Sequence, residues 1–216
     1  PARTACEYVP MAAGASFVAR AADTDAKGLA AILDKAYAHK GSVFIELLQN
    51  CIFILNAGHE TTTNLIGNGL WALLNNPGEM QRLRADPALV PSAVEEMLRY
   101  DGPIQLNNRR LAAPLALSGK ELSAGTPITI GIGAANRDPE QFGDAERFDV
   151  GRKPNRHVAF GQGEHVCVGM NVARMEGRIA FTRLLERFAK IELAGEPVRD
   201  RRIRFRGFRA LPVRAG

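Results

Sequence analysis

The sequence predicts a mainly α-helical domain with a small antiparallel β part, an α+β fold. Apolar residues recur at helical three-and-four spacing in three long stretches, residues 23–41, 42–75 and 172–188. Between residues 103 and 132 the pattern shortens to brief apolar runs bounded by Gly119 and Gly125, the mark of short strands. At 216 residues the chain is long enough to bury one sizeable core. These observations place a single domain over residues 23–216 and leave residues 1–22 as a poorly patterned N-terminal segment, rich in alanine and interrupted by Pro10 and Gly14.

Each element has a local reason. Thr24 or Asp25 can cap a first helix whose apolar positions are Leu29, Ile32, Leu33, Ala36 and Tyr37, ended by Gly41. Ser42 opens the longest helical candidate, which runs to about Asn75, just before the stop at Pro77; residues 51–55 are apolar nearly all round, as in a buried helix. Inside it lies Ala57-Gly58-His59-Glu60-Thr61-Thr62, poor helix-forming material in which the glycine alone costs ~1 kcal/mol. That cost predicts a local break, either a plain kink with a capping threonine or a site. A short helix follows over 77–84, then another over 91–100, where Glu96 and Arg99 share a face. Strands are expected at 103–106, 115–117 and 127–130, and the alternation of apolar and basic residues over 203–213 suits a half-buried edge strand.

Composition narrows the class. An apolar fraction of 46% with 24% charged residues excludes a disordered chain. No run of eighteen apolar residues appears and residues 1–14 lack a secretory pattern, so the expectation is a cytoplasmic protein with no membrane partner. The net charge of +5 is spread along the chain with few interleaved aromatics, which argues against nucleic acid and would equally suit an acidic protein partner. Cys6, Cys51 and Cys167 are an odd, scattered set rather than a disulfide framework. Cys6 reads as a terminal or small buried thiol and Cys51 as core packing.

Cys167 is different. It sits in Phe160-Gly-Gln-Gly-Glu-His-Val-Cys-Val-Gly169, with Gly161, Gly163 and Gly169 around the sulfur and a helical pattern starting just beyond. Glycines let the main chain pass close to a bulky planar object, and unpaired N–H groups at a helix start favour a thiolate. One thiolate without a second cysteine nearby argues against zinc ribbons and iron–sulfur clusters and leaves haem as the natural candidate.

This loop, with its continuation Ala173-Arg174-Met175-Glu176, resembles the haem-binding loop of the cytochrome P-450 family, the haem-thiolate monooxygenases; Val168 stands where bacterial members usually carry leucine. The 57–62 stretch resembles the family's oxygen-binding helix. The resemblance implies Cys167 as axial ligand to the iron of haem b, with Phe160, Gly161 and Gly169 shaping the loop. It implies Ala57 and Gly58 as the gap over the haem, and Glu60 and Thr61 as a catalytic proton relay. Arg110, with Arg109 close behind, would meet a haem propionate, as would His165 and His157. Glu96 and Arg99, followed by Tyr100-x-x-Pro103, resemble the family's buried structural pair, with Arg147 of Glu146-Arg147-Phe148 as its third member.

Family members are about twice as long, and this chain resembles their C-terminal half only. The reading is therefore a truncated haem-thiolate monooxygenase. A complete member would hydroxylate a small organic substrate using dioxygen and two electrons from an external donor such as a ferredoxin. The chain alone is expected to be inactive and to hold haem weakly or not at all. Its uncovered apolar surface predicts a homo-oligomer or a domain-swapped assembly. Two alternatives stand beside this reading: a catalytically dead P-450-like protein that oligomerises or sequesters haem, and a mono-cysteine redox or binding protein unrelated to haem.

Overall fold

The structure is a computed structural model and describes residues 17–22, 35, 38, 43–48 and 52–216. It separates into two compact units, residues 1–55 and residues 56–216. In the first, strands β1 (Phe17–Ala22) and β2 (Val43–Leu48) pair in parallel, from Phe17 opposite Val43 to Ala22 opposite Leu48. Two expectations change here. Part of the N-terminal segment is a strand, and residues 43–48 form a strand instead of the start of the long helix, because an apolar run containing Val43 and Ile45 satisfies both periods. The expected helix over 23–41 lies outside the described residues except at Lys35 and Ala38, which are helical. Cys6 and Cys51 also lie outside them.

Helix α1 (Ile52–Asn75) is assigned without interruption, so the expected break at 57–62 does not occur in the helical ladder. Its residues 57–59 are exposed, whereas Leu65, Leu70, Ala72 and Leu73 are buried in the core. Gly69 explains how a glycine survives there: a Cβ would stand 2.6 Å from both Met97 Sδ and Phe181 Cζ, so its absence lets three helices close together. The second is α3 (Val90–Tyr100), which follows α2 (Pro77–Ala85) and the single turn Pro87–Leu89. Pro77 opens α2 with Glu79 in its first turn and Arg82 and Arg84 in its last, matching the helix dipole at both ends. The third is α5 (Met170–Arg187), whose terminal carbonyl at Leu185 and the adjoining one at Phe188 accept hydrogen bonds from Arg84 at 2.8 Å each.

Ahead of α5 come two antiparallel pairs and an irregular stretch. Strand β3 (Leu106–Arg110) pairs with β6 (Pro127–Gly131), and β4 (Leu115–Leu117) pairs with β5 (Lys120–Leu122). The β4–β5 turn places Ser118 and Gly119 at φ 49° and 75°, the left-handed geometry of a two-residue hairpin. The strand expected at 103–106 thus begins at Leu106. Residues 103–105 are engaged elsewhere: Ile104 bridges Phe205, and Gln105 N–H donates to the Arg204 carbonyl at 2.9 Å. After the short helix α4 (Ile132–Ala135), residues 136–152 wind without regular structure, yet Phe142, Ala145, Phe148 and Val150 are buried. The C-terminus adds two more antiparallel pairs, β7 (Ile191–Leu193) with β10 (Val213–Ala215) and β8 (Val198–Arg199) with β9 (Phe208–Ala210).

A polar clasp returns this tail to α1. Asn68, fully buried, donates to the carbonyls of Asp101 (2.8 Å) and Arg206 (2.9 Å), while Arg199 bonds both Asn68 and the Asp101 carboxylate. Among the described residues, no helix is long and apolar enough to cross a membrane.

Candidate functional site

The cysteine loop is a tight reversal built on two glycines. Gly161 and Gly163 have φ of 70° and 69°, values that side chains oppose, and these let the chain fold back. After the turn Gly163–His165, the Cys167 N–H donates to the Phe160 carbonyl at 2.9 Å, and Cys167 in turn accepts from Met170 N–H at 3.3 Å. The sulfur is thereby held at the mouth of α5, where helical N–H groups lack partners. A Cβ on Gly169 would stand 3.9 Å from Sγ, so that side of the sulfur stays open.

The thiol is free and exposed. Around it Val166 and Val168 are exposed, the latter at 96%, and Val172, Met175 and Ile179 continue the apolar surface along one side of α5. Among the described residues no cluster of three or more histidine, cysteine or carboxylate side chains could hold a metal by itself. The donor set is one soft sulfur rimmed by apolar side chains. Its chemistry fits an iron porphyrin: the sulfur suits the metal, and the apolar rim suits the macrocycle.

On α1, the Thr61 hydroxyl donates to the Ala57 carbonyl at 2.5 Å and the Thr63 hydroxyl to His59 at 2.9 Å, local bonds that take up hydroxyl protons within the helix. Gly58 faces open space. The Glu60 carboxylate accepts from Arg202, which also bonds Asp200. One residue on, Thr62 donates to Glu176 of α5 at 2.9 Å, and at Gly177 a Cβ would lie 3.1 Å from Val94 and 3.4 Å from Leu65. The 57–62 segment and the helix that follows Cys167 are therefore joined within one turn of Thr61.

Glu96 and Arg99 form the buried pair that their spacing suggests. Both side chains are inaccessible, with Arg99 Nε donating to Glu96 Oε2 at 2.7 Å and Nη2 to Oε1 at 2.8 Å. The remaining Arg99 donors reach the carbonyls of Asn136, Ala145 and Arg147 at 2.8–3.0 Å. One sequence expectation is corrected here. The second guanidinium on Glu96 is that of Arg152, at 3.1 Å, whereas Arg147 is exposed and contributes its backbone carbonyl. Asn155 and the Asp149 N–H complete the shell of Glu96. Every lone pair of a buried carboxylate needs such a partner.

Glu95, the next residue, was not singled out by sequence reasoning. It faces away from the irregular stretch and accepts from Arg174 Nε (2.8 Å), Arg174 Nη2 (2.9 Å) and His157 Nε2 (3.0 Å). Burial works against its charged form, but the bonds from His157 and Arg174 outweigh it and hold the carboxyl down at about 2. The other His157 nitrogen, Nδ1, accepts from the Ala159 N–H at 3.2 Å. Both ring nitrogens of His157 thus have a partner within this cluster. The remaining candidates are spread out. Arg109 and Arg110, adjacent on β3 and so on opposite faces, donate to the carbonyls of Asn108 (2.9 Å) and Gly125 (2.6 Å), and His165 is exposed at the loop turn.

Comparison with known proteins identifies the family. The model of the family described as Cytochrome P450 matches residues 19–212. Cytochrome P450 107B1 of Saccharopolyspora erythraea is 46% identical over 176 residues, which are 79% of this chain and 43% of that protein. The biotin biosynthesis cytochrome P450 of Bacillus subtilis is 41% identical over 169 residues, 78% of this chain and 43% of that protein. Among solved structures, P450BioI in complex with an acyl carrier protein ligated to hexadec-9Z-enoic acid superimposes with a TM-score of 0.75 at 41% identity, covering 77% of this chain and 44% of that one. CYP109E1 from Bacillus megaterium in complex with corticosterone gives 0.74 at 38% identity, covering 76% and 45%. The chain spans less than half the length of these relatives.

Proposed function

The chain belongs to the cytochrome P450 family, the haem-thiolate monooxygenases, and we propose on that premise that Cys167 would hold the iron of haem b in a protein that hydroxylates a small organic molecule. One observation carries the reading: an exposed thiol, pinned through its own N–H to the Phe160 carbonyl, opens onto an uncovered apolar surface. When bound, the haem supplies dioxygen activation, and the thiolate pushes electron density toward the metal.

The chain's own residues do the rest. Gly161 and Gly163 turn the loop back, Gly169 leaves the side of the sulfur free of a side chain, and the exposed Val168, Val172 and Met175 would offer an apolar face to the macrocycle. Thr61 Oγ1, whose proton is engaged by Ala57, has lone pairs left to accept a hydrogen bond from the distal side. Glu60, whose carboxylate accepts from Arg202, would relay the proton that follows. Arg110, Arg109 and His165 are the candidate partners of the propionates, Arg110 by a bidentate guanidinium bond. Electrons come from an external donor such as a ferredoxin, in the cytoplasm, and no nucleic acid is involved.

The chain alone does not turn over in this reading. Adding haem and recording the reduced, carbon monoxide-treated spectrum tests it: a thiolate-type Soret band is expected, and Cys167→Ala should abolish it. A band that survives the substitution would overturn the assignment. A second reading, a protein without turnover that self-associates or sequesters haem, is favoured by the apolar stripe from Val168 to Ile179. A clean monomer in light scattering at micromolar concentration would sink its self-associating form.

A further inference from the structure

The cysteine loop has little to hold it in place by burial. Residues 162–168 are all exposed, so side-chain packing within the loop does not set the direction of the sulfur. That direction is inherited from the two arms. On the incoming arm, His157 accepts from Ala159 N–H, and the next residue, Phe160, supplies the carbonyl that receives Cys167 N–H. On the outgoing arm, Arg174 lies just over one turn into α5 and places its guanidinium 4.8 Å from the centre of the Phe160 ring. Both arms end on one carboxylate. Glu95 accepts the fork of Arg174 through Nε and Nη2 and the His157 Nε2 donor as well.

We propose that Glu95 is the positioning residue of this loop, a single carboxylate on α3 that fastens both arms and so aims the Cys167 sulfur. The division of labour with its neighbour supports this. Glu96 turns toward residues 136–155 and holds the irregular stretch, while Glu95 turns toward 157–160 and α5. The two acids share a helix turn and serve different structures. Glu95, Arg174 and His157 are 22%, 27% and 3% exposed at their side chains, so solvent screens the cluster only in part and a bidentate pair keeps its geometric strictness. The carboxyl stays ionised in ordinary buffers, so the fastening is permanent and does not switch.

The proposal takes its meaning from the haem-site reading, but its main test needs no haem. Amide hydrogen exchange on the whole chain compares the Cys167 N–H with the Asp149 N–H, which reports on the Glu96 side. In Glu95→Gln the Cys167 amide is expected to exchange about tenfold faster while Asp149 changes by less than about twofold. An unchanged Cys167 amide, or an equal change at both, overturns the proposal. Should Glu95→Gln fail to fold, Arg174→Lys keeps the charge but loses the fork and should show the same split at smaller size; absence of the split there, or loss of folding in both variants, also overturns it. A second measurement applies to the haem-loaded chain: Glu95→Gln should move part of the carbon monoxide-treated band from thiolate type to neutral-thiol type, and an unmoved band counts against the proposal. If the unaltered chain binds haem without a thiolate-type band, the haem-site reading fails while the exchange result stands.

Discussion

Glu96 with Arg99 lies on α3 and Cys167 with Val168 just ahead of α5, and their surroundings are opposites. The pair is inaccessible and every donor of Arg99 has a named acceptor, whereas the thiol is exposed and Val168 is 96% accessible. The difference separates two kinds of preorganisation. The anchor is complete because all its partners are in this chain, within residues 96–155. The loop is equally well shaped, with two left-handed glycines and a defined main-chain bond, yet its sulfur and the valines beside it are left exposed. The first region measures the scaffold and the second measures what the scaffold is for.

That contrast can be broken from either side. Arg99→Ala should have the largest effect, about 3–5 kcal/mol lost in urea denaturation, because it strands a buried carboxylate with one guanidinium and removes donors from three carbonyls. A loss below ~1 kcal/mol would mean the anchor is not what holds residues 136–155.

Acid should act next, through Glu95. Its carboxyl is held at about 2 against an ordinary 4.5, so its contribution is fully present above 4.5 and drains away as pH falls from there toward 2. Denaturation midpoints measured across that window should drop, and Glu95→Gln should flatten its share of the slope. An identical slope in the variant would remove Glu95 from the account.

The smallest effect on stability belongs to the open side. Val168→Ser should leave the denaturation midpoint within ~0.5 kcal/mol of the parent, since almost nothing is buried by that side chain. The same substitution should weaken self-association in sedimentation. A marked fall in stability would show that the loop is packed after all.

Much of the anchor and the loop was legible in the sequence, for local reasons. Glu96 and Arg99 lie three apart on an amphipathic helix, and glycines around one cysteine speak for themselves. What escaped depends on distant partners or on irregular backbone. Arg147 and Arg152 both lie where no periodicity tells which guanidinium turns inward, and the structure chose Arg152. Residues 103–105 read as a strand, but their partners are about a hundred positions later, at 204–206, and the ladder with β6 starts only at Leu106. Residues 43–48 could satisfy two periods, and only pairing with β1 decides between them. Glu95 was hidden by its neighbour, since one acid at the right spacing had already explained that turn. Its partner Arg174, seven residues past Cys167, was the available clue.

The clasp on Asn68 gives the chain a direction in time. One of the two carbonyls that satisfy this buried amide belongs to Arg206, 138 positions downstream, so a ribosome emitting residues in order makes the donor long before that acceptor exists. Until Arg206 emerges, the Asn68 amide of α1 is only half satisfied, on the side destined for closure. Whatever nascent shape forms earlier must stay wet at that spot, and sealing of the helix bundle there waits for residue 206.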